Sequence, residues 1–275
     1  MDQSERTQLL IPCISELPMS CNPDSSSDSN GNLYPLTAGL GEVPIEAVLS
    51  GILGADRRVS IGVIDRQGTF MMLNAFAAKP YGVDDPSKLY GKNIGDYVTG
   101  IWVEELLGFV RRCIKEDTKI TILLMSGGFR IRTQLVPIRT SPGDAQASCV
   151  LVMSEEIKAQ IYEQIVSDPP DDEVVVHSEL VSLGPLDVLS TRELEVLALM
   201  REGLRTKEIA DRLHRSLSTI LKHRESIGRK LKLHDRSEMI ELANIAVLQV
   251  EDASRTRLGA RIATDAMDAD DAGGS

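Results

Sequence analysis

Residues 216–233 read SLSTILKHRESIGRKLKL, and from Arg215 to Lys232 the chain sets six Lys or Arg against one acid, Glu225. Cations gathered on one rod are chemistry for a polyanion. At 3.6 residues per turn, Ser218, Lys222, Glu225, Arg229 and Lys232 share a face opposite Ile220, Ile227 and Leu231. The apolar face holds such a helix to its own domain, and the polar face is presented outward with Arg215 and Arg224 at its flanks. A DNA duplex carries a phosphate charge about every 1.7 Å of its axis, so clustered cations gain by releasing counterions. A charge run by itself is ordinarily a solvated face. Its position among the neighbouring helices is what gives this one a function.

Those neighbours are legible. LSTRELEVLALMREGL opens with Ser190 and Glu193, an S-x-x-E capping box, and Gly203 supplies a left-handed residue at its end. TKEIADRL predicts a second helix capped by Thr206, with Ile209, Ala210 and Leu213 turned inward. Ser216 caps the third helix, and Asp235 with Glu238 opens a fourth. Only HRS separates the second helix from the third, which is helix-turn-helix geometry with the later helix meant for the major groove.

Residues 189–243 resemble the LuxR-type (NarL/FixJ-type) helix-turn-helix. The matching positions are Leu189, Ser190, Arg192, Glu193, Glu195, Val196, Leu197, Gly203, Lys207, Glu208, Ile209, Ala210, Leu213, Ser216, Thr219, Ile220, His223, Ile227, Lys230, Leu231, Arg236 and Glu238. The family often has lysine where this chain has Ser218 and Leu221. The resemblance implies double-stranded DNA as partner, bound by a homodimer, with base contacts around Leu221, Lys222 and Glu225. Leu221 suits a thymine methyl, Lys222 a guanine and Glu225 a cytosine amino group. Thr219, Arg224, Arg229 and Lys207 are assigned to phosphates, with Ser216 and Ser218 at the helix start and His223 in a packing or phosphate-contacting role. His214, His223 and His234 lack metal-ligand spacing, so no metal is expected.

The chain has 275 residues and a formal net charge of −11. Residues 185–250 hold twelve Lys or Arg against ten Asp or Glu, while the remainder holds 18 against 31. The cationic segment is therefore set within an acidic body that discourages polyanions elsewhere. Apolar content is 42% and aromatic content 4%, which predicts aliphatic cores. No run approaches a membrane span, no secretory signal is evident, and Cys13, Cys21, Cys113 and Cys149 lack CxxC spacing. A cytoplasmic protein with free thiols is expected.

Upstream, residues 1–44 read as a disordered segment and IEAVLSGIL as a short helix. VSIGVID (59–65) and TFMMLN (69–74) predict a hairpin turning at Gly68. Asp85 and Pro86 start a short helix, and Val103, Leu106, Leu107, Val110 and Ile114 mark the face of a longer one. KITILLM, FRIRTQLVPI and SCVLVMS predict three more strands. The result is an antiparallel sheet with helices on one face, an α+β domain over 45–155. Residues 46–155 resemble a PAS sensor domain through IGVIDRQGTFMMLN, Asn74 and the Gly91-Lys92 step, a generic α+β or GAF-like domain being the alternative. Residues 156–184 read as a helix with an isoleucine stripe (Ile157, Ile161, Ile165), either packed on its own domain or dimerising, followed by an acidic linker. The helix-turn-helix domain spans 185–250, and 251–275 reads as a disordered acidic tail.

No P-loop, receiver-type phosphoacceptor arrangement, G-x-S-x-G or H-E-x-x-H appears, so an enzyme is not expected. The PAS-like stretch has no histidine for haem, and Cys113 lies outside a flavin-photosensor context, so no cofactor is expected. A small apolar molecule, a partner protein or dimerisation alone remains open as its signal. The overall expectation is an α+β PAS-like sensor domain followed by an all-α four-helix helix-turn-helix domain, forming a transcription regulator. A sensory adaptor and a sigma-factor-like promoter binder are the rivals.

Overall fold

The computed structural model describes residues 59–98, 100–139 and 146–258. The N-terminal segment 1–44, the IEAVLSGIL helix and the chain after 258 lie outside the described residues.

Strands β1 (Ser60–Asp65) and β2 (Phe70–Leu73) form the expected hairpin, with Gly68 at φ 89. The Asp65 carboxylate accepts from the Gln67 and Thr69 backbone N–H groups at 2.8 Å each and ties the turn. Asn74 caps the short helix α1 (Ala75–Ala78) and also accepts from Ile61 N–H, fixing the helix to the first strand. Asp85 caps a 3₁₀ turn at Pro86–Leu89. Helix α2 (Ile101–Glu116) buries Val103, Leu107, Val110 and Ile114, four of the five predicted positions. Strands β3 (Lys119–Ser126), β4 (Phe129–Ile138) and β5 (Cys149–Glu156) complete an antiparallel sheet in the order β2-β1-β5-β4-β3. The helices pack on one face of it around Ile64, Phe70, Leu107, Ile120, Leu135 and Val150. This is the PAS-like α+β layer.

The segment after β5 departs from expectation. Glu155 and Glu156 belong to β5, and helix α3 covers only Ala159–Ser167. Ile165 and, just ahead of the helix, Ile157 pack with Tyr162 against Leu123 and Val247, so two of the three stripe isoleucines are buried on the chain's own core, while Ile161 is 42% exposed. Of the expected acidic linker, only the residues up to Asp172 act as a connection. Glu173–Val181 forms strand β6, running parallel to β3 along the sheet edge. The physical reason lies in EVVVHSELV, whose β-branched run suits a pleated surface better than solvent. The expected tail is corrected as well: Val250–Ala253 is a 3₁₀ turn, and β7 (Thr256–Arg257) adds a seventh strand beside β6.

Four helices intervene between β6 and β7: α4 (Thr191–Arg201), α5 (Thr206–Arg212), α6 (Leu217–Leu231) and α7 (Arg236–Ile245). Leu194, Val196, Leu197, Ala198, Leu199 and Met200 are all buried, which places α4 at the centre of the bundle. Their core is continuous with the sheet, because Met125 of β3, Val181 of β6 and Leu183 pack into it. Close approach here depends on Gly184, at φ 54. A Cβ on it would sit 2.2 Å from the Gly127 carbonyl oxygen in the β3–β4 turn.

A buried ion pair also joins the layers. Arg130 on β4 and Asp252 are both completely buried, with Nη2 to Oδ2 at 2.5 Å. Arg130 Nη2 also donates to the Val247 carbonyl at 3.0 Å, and its guanidinium lies 4.9 Å from the centre of the Tyr162 ring. Asp252 further accepts from Arg255 Nη1 at 3.0 Å and Gln249 N–H at 2.8 Å. Removing one member strands a buried charge, a loss of about 3–5 kcal/mol, whereas replacing both with apolar groups costs much less. Asp252→Ala is thus expected to lower unfolding stability by about 3–5 kcal/mol in denaturant titration, with the Arg130→Met/Asp252→Leu double variant recovering most of it. Equal losses in the single and double variants would show that the loss comes from the missing pair and not from a stranded charge.

Candidate functional site

Helix α6 is set in place by its apolar and small residues. Ile220 and Ile227 are completely buried. Gly228, also buried, carries no Cβ where one would meet the Leu233 carbonyl oxygen and Met239 Cε at 3.0 Å each. That contact lets the turn into α7 close on the helix, and periodicity reading passed over it because glycine counts as neither apolar nor polar. The Ser216 hydroxyl accepts from Thr219 N–H at 3.2 Å and forms the predicted cap. The link from α5 spans Leu213–Ser216, with His214 at φ 53 and Arg215 N–H returning to the Ala210 carbonyl at 2.9 Å.

With that face anchored, Ser218, Leu221, Lys222, Glu225, Arg229 and Lys232 are all exposed, as are Arg215 and, on α5, Lys207. Ser216 is exposed, whereas Thr219 and His223 are partly buried. The structure therefore brings most of the sequence-derived site residues onto one open surface. Arg224 is the exception in role. It is partly buried, and its Nη1 donates to the Thr206 hydroxyl at 2.9 Å, cross-linking α6 to the start of α5. Thr206 does not cap α5 as expected; Arg205 is the N-cap residue, and the Glu208 carboxylate accepts from its N–H at 2.5 Å. At α7, Asp235 caps as expected, while Glu238 accepts from His234 N–H instead of closing the box on Asp235.

Lys230 is withdrawn from the cationic face. Its Nζ lies 2.6 Å from Glu193 Oε2, and the same carboxylate oxygen accepts from Ser190 N–H at 2.7 Å and Ser190 Oγ at 2.9 Å. The capping-box glutamate thus also fixes α6 to α4. Burial opposes ionisation of Glu193, but hydrogen bonds from Lys230, Ser226 and Ser190 outweigh it and hold the carboxyl at about 2. Sequence reading recognised both residues and had no means to join them across 37 positions. No cluster of three or more His, Cys, Asp or Glu arranged for a metal occurs among the described residues, and the three histidines of this region are not brought together as one.

The PAS-like layer holds a second feature that sequence reading did not locate, a cavity of about 160 Å³ between the sheet and α1–α2. Phe70, Phe76, Tyr81, Trp102 and Phe109 line it, half of the ten aromatic residues in the chain. Composition alone could show how scarce the aromatics are, but not that they converge. Glu105, on the cavity wall, accepts from Ser178 Oγ at 2.6 Å and from Glu179 N–H at 2.7 Å, both on β6. Thr133 and Ser154 pair their hydroxyls at 2.9 Å in the floor.

Residues 187–243 match the family of bacterial regulatory proteins named luxR. They form a LuxR-type helix-turn-helix domain. Among curated relatives, the oxygen regulatory protein NreC of Staphylococcus epidermidis is 33% identical over 88 residues, which is 32% of this chain and 38% of that protein. NreC of Staphylococcus carnosus is 42% identical over 59 residues, covering 22% and 27%. The chain thus spans less than two fifths of the length of either relative. Among solved structures, a ligand and DNA complex of VqmA from Vibrio cholerae has 15% identity and a TM-score of 0.44, covering 74% of this chain and 88% of that one. A PAS domain from Colwellia psychrerythraea has 18% identity and a TM-score of 0.33, covering 42% and 98%. No helix among the described residues is long and apolar enough to cross a membrane.

The Glu193 knot inside the LuxR-type domain has a pH signature. The folded carboxyl sits near 2 against an ordinary 4.5, so its contribution is present above 4.5 and is lost as pH falls towards 2. The difference corresponds to about 3 kcal/mol. Glu193→Gln is expected to lose roughly that amount at pH 7 and to converge on the unsubstituted protein as the pH falls from about 4.5 towards 2. Denaturant unfolding across that range checks it, and a constant gap between the two proteins at all pH values would contradict it.

Proposed function

We propose that the protein is a sequence-specific DNA-binding transcription regulator acting in the cytoplasm, with its LuxR-type domain read out by helix α6. The observation that carries this is the division of α6. Ile220 and Ile227 are wholly buried, while Lys222, Glu225, Arg229 and Lys232 are exposed on the opposite side. A helix held from behind with its polar face clear of its own domain can enter a major groove, about 12 Å wide, without rearrangement. Leu221, Lys222 and Glu225 then face base edges. In this reading Arg229, Lys207 and Thr219 take the phosphates, with Ser216 and Ser218 at the helix start and His223 beside them. Arg224 takes a positioning role through Thr206. Two copies on one duplex would read half-sites about one helical turn apart, so we take the working form to be a homodimer.

The PAS-like layer, residues 60–181, supplies the control in this reading, and 184–253 the DNA-binding unit. Its cavity suits a small molecule with a flat apolar body and a hydrogen-bond donor for Glu105. Glu105 also holds β6, whose end at Val181 packs into the helical core. A ligand that competes for this carboxylate biases the strand on which the DNA-binding unit is mounted.

In anisotropy titrations the full-length protein is expected to bind duplex DNA with an affinity that falls steeply with salt. Lys222→Ala should change which sequences are preferred, and Arg229→Ala should weaken all of them alike. Absence of duplex binding at low salt would favour the adaptor reading. For the coupling, Glu105→Gln is expected to speed hydrogen exchange at the Glu179 amide by roughly tenfold and to shift operator affinity. Faster exchange with unchanged DNA affinity would separate the cavity from DNA control.

A further inference from the structure

Leu217 and Leu221 are 49% and 50% exposed, two large aliphatic side chains one helical turn apart on the same side of the recognition helix. Propensity does not require leucine there, since the N-terminal turn is already capped by Ser216. Further along the helix, the corresponding direction is occupied by Gly228, and there Leu233 and Met239 close over it. At the N-terminal half nothing equivalent covers the two leucines among the described residues. Their surroundings are cationic and polar: exposed Ser218 and Lys222 lie on one flank, and Arg215 precedes the helix. An apolar protein partner would leave these cations poorly matched. The partner that fits is a polyanion whose contact surface also offers methyl groups. In duplex DNA that is the major groove at thymine, which presents its C5-methyl beside the phosphate walls.

We infer that Leu217 and Leu221 together form an apolar reading edge selecting a thymine or a pair of adjacent thymines, with Leu217 a specificity residue alongside Leu221. The inference rests on the DNA-binding reading above and deepens it by naming what the first turn of α6 recognises. Lys222 and Glu225 read hydrogen-bonding edges next to it, so one helix combines a methyl contact with polar contacts at neighbouring base pairs. Because both leucines are half exposed in the folded chain, truncating them removes little that holds the domain together.

The test uses the full-length protein and a tight-binding duplex selected from a randomised library at low salt. Thymines are replaced one at a time by uracil, which deletes only the methyl group. The unsubstituted protein is expected to lose about fourfold in affinity at each thymine met by a leucine, the worth of one buried methyl. Leu217→Ala and Leu221→Ala should each erase one of these differences, while Lys222→Ala leaves them in place and alters preference elsewhere. Tight duplex binding with no uracil effect at any position would overturn the inference and leave the DNA reading intact. Failure to bind any duplex would overturn both. If Leu217→Ala or Leu221→Ala shifts sedimentation from dimer to monomer, the leucines pack against a second copy, and the inference falls.

Discussion

Arg130 projects from the middle of a sheet into a space with no solvent, where an unpaired guanidinium would cost several kcal/mol. It can be there only because Asp252 arrives from the far end of the described chain, 122 positions away, and brings the Val247 carbonyl with it. That requirement sets the architecture. For Asp252 to reach Arg130, the chain leaving α7 must turn back onto the sheet, and β7 then pairs beside β6. The helical unit is held at both of its ends, by β6 on entry and by the Arg130 knot on exit. A helical unit attached this way is mounted on the PAS-like layer, whereas a flexible tether would leave the two free to reorient.

Mounting has consequences for how a signal travels. With a loose linker, occupancy of a cavity could act only through local concentration or dimerisation. Here Val181 and Leu183 belong to the same core as Leu194 and Ile227, so displacement of β6 is felt by the packing behind α6. Interiors packed at crystal-like density move between discrete arrangements more readily than they deform smoothly. Glu105 sits where such a choice would be made, with one carboxylate shared between the aromatic cavity and two donors of β6. Neutral side chains could line the same cavity, but they would give a ligand less to compete for.

The helical domain was largely legible because its signals are local. Ser190 with Glu193, Ser216 and Asp235 announce helix starts within four residues, and the isoleucines of α6 repeat at helical spacing. The first five strands were legible for the same reason, each hairpin being bounded by its own turn. What escaped depends on distant partners. DPPDDE has the composition of a linker, and the strand after it is recognisable only when β3 offers an edge to pair with. Asp252 lies in acidic, low-complexity surroundings and becomes structural only through Arg130. Arg224 reads as one more cation on a basic helix until Thr206 stands 2.9 Å from it. The convergence of five aromatics on one cavity is likewise a property of the folded chain.

The cations of α6 show why composition understates the design of the surface. Of six Lys or Arg between Arg215 and Lys232, Lys230 is spent on Glu193 and Arg224 is turned to Thr206. Arg215, Lys222, Arg229 and Lys232 remain on the open side, around the exposed Glu225. A purely electrostatic binder would gain from clearing that acid and from filling Leu217 and Leu221 with lysine, since each added phosphate contact strengthens binding to any sequence. Four cations interrupted by a carboxylate and two leucines give up non-selective affinity. On the proposed reading, the carboxylate and the leucines are the groups suited to cytosine and thymine. On the same reading the acidic remainder of the chain works in the same direction, since like charge weakens association with arbitrary DNA.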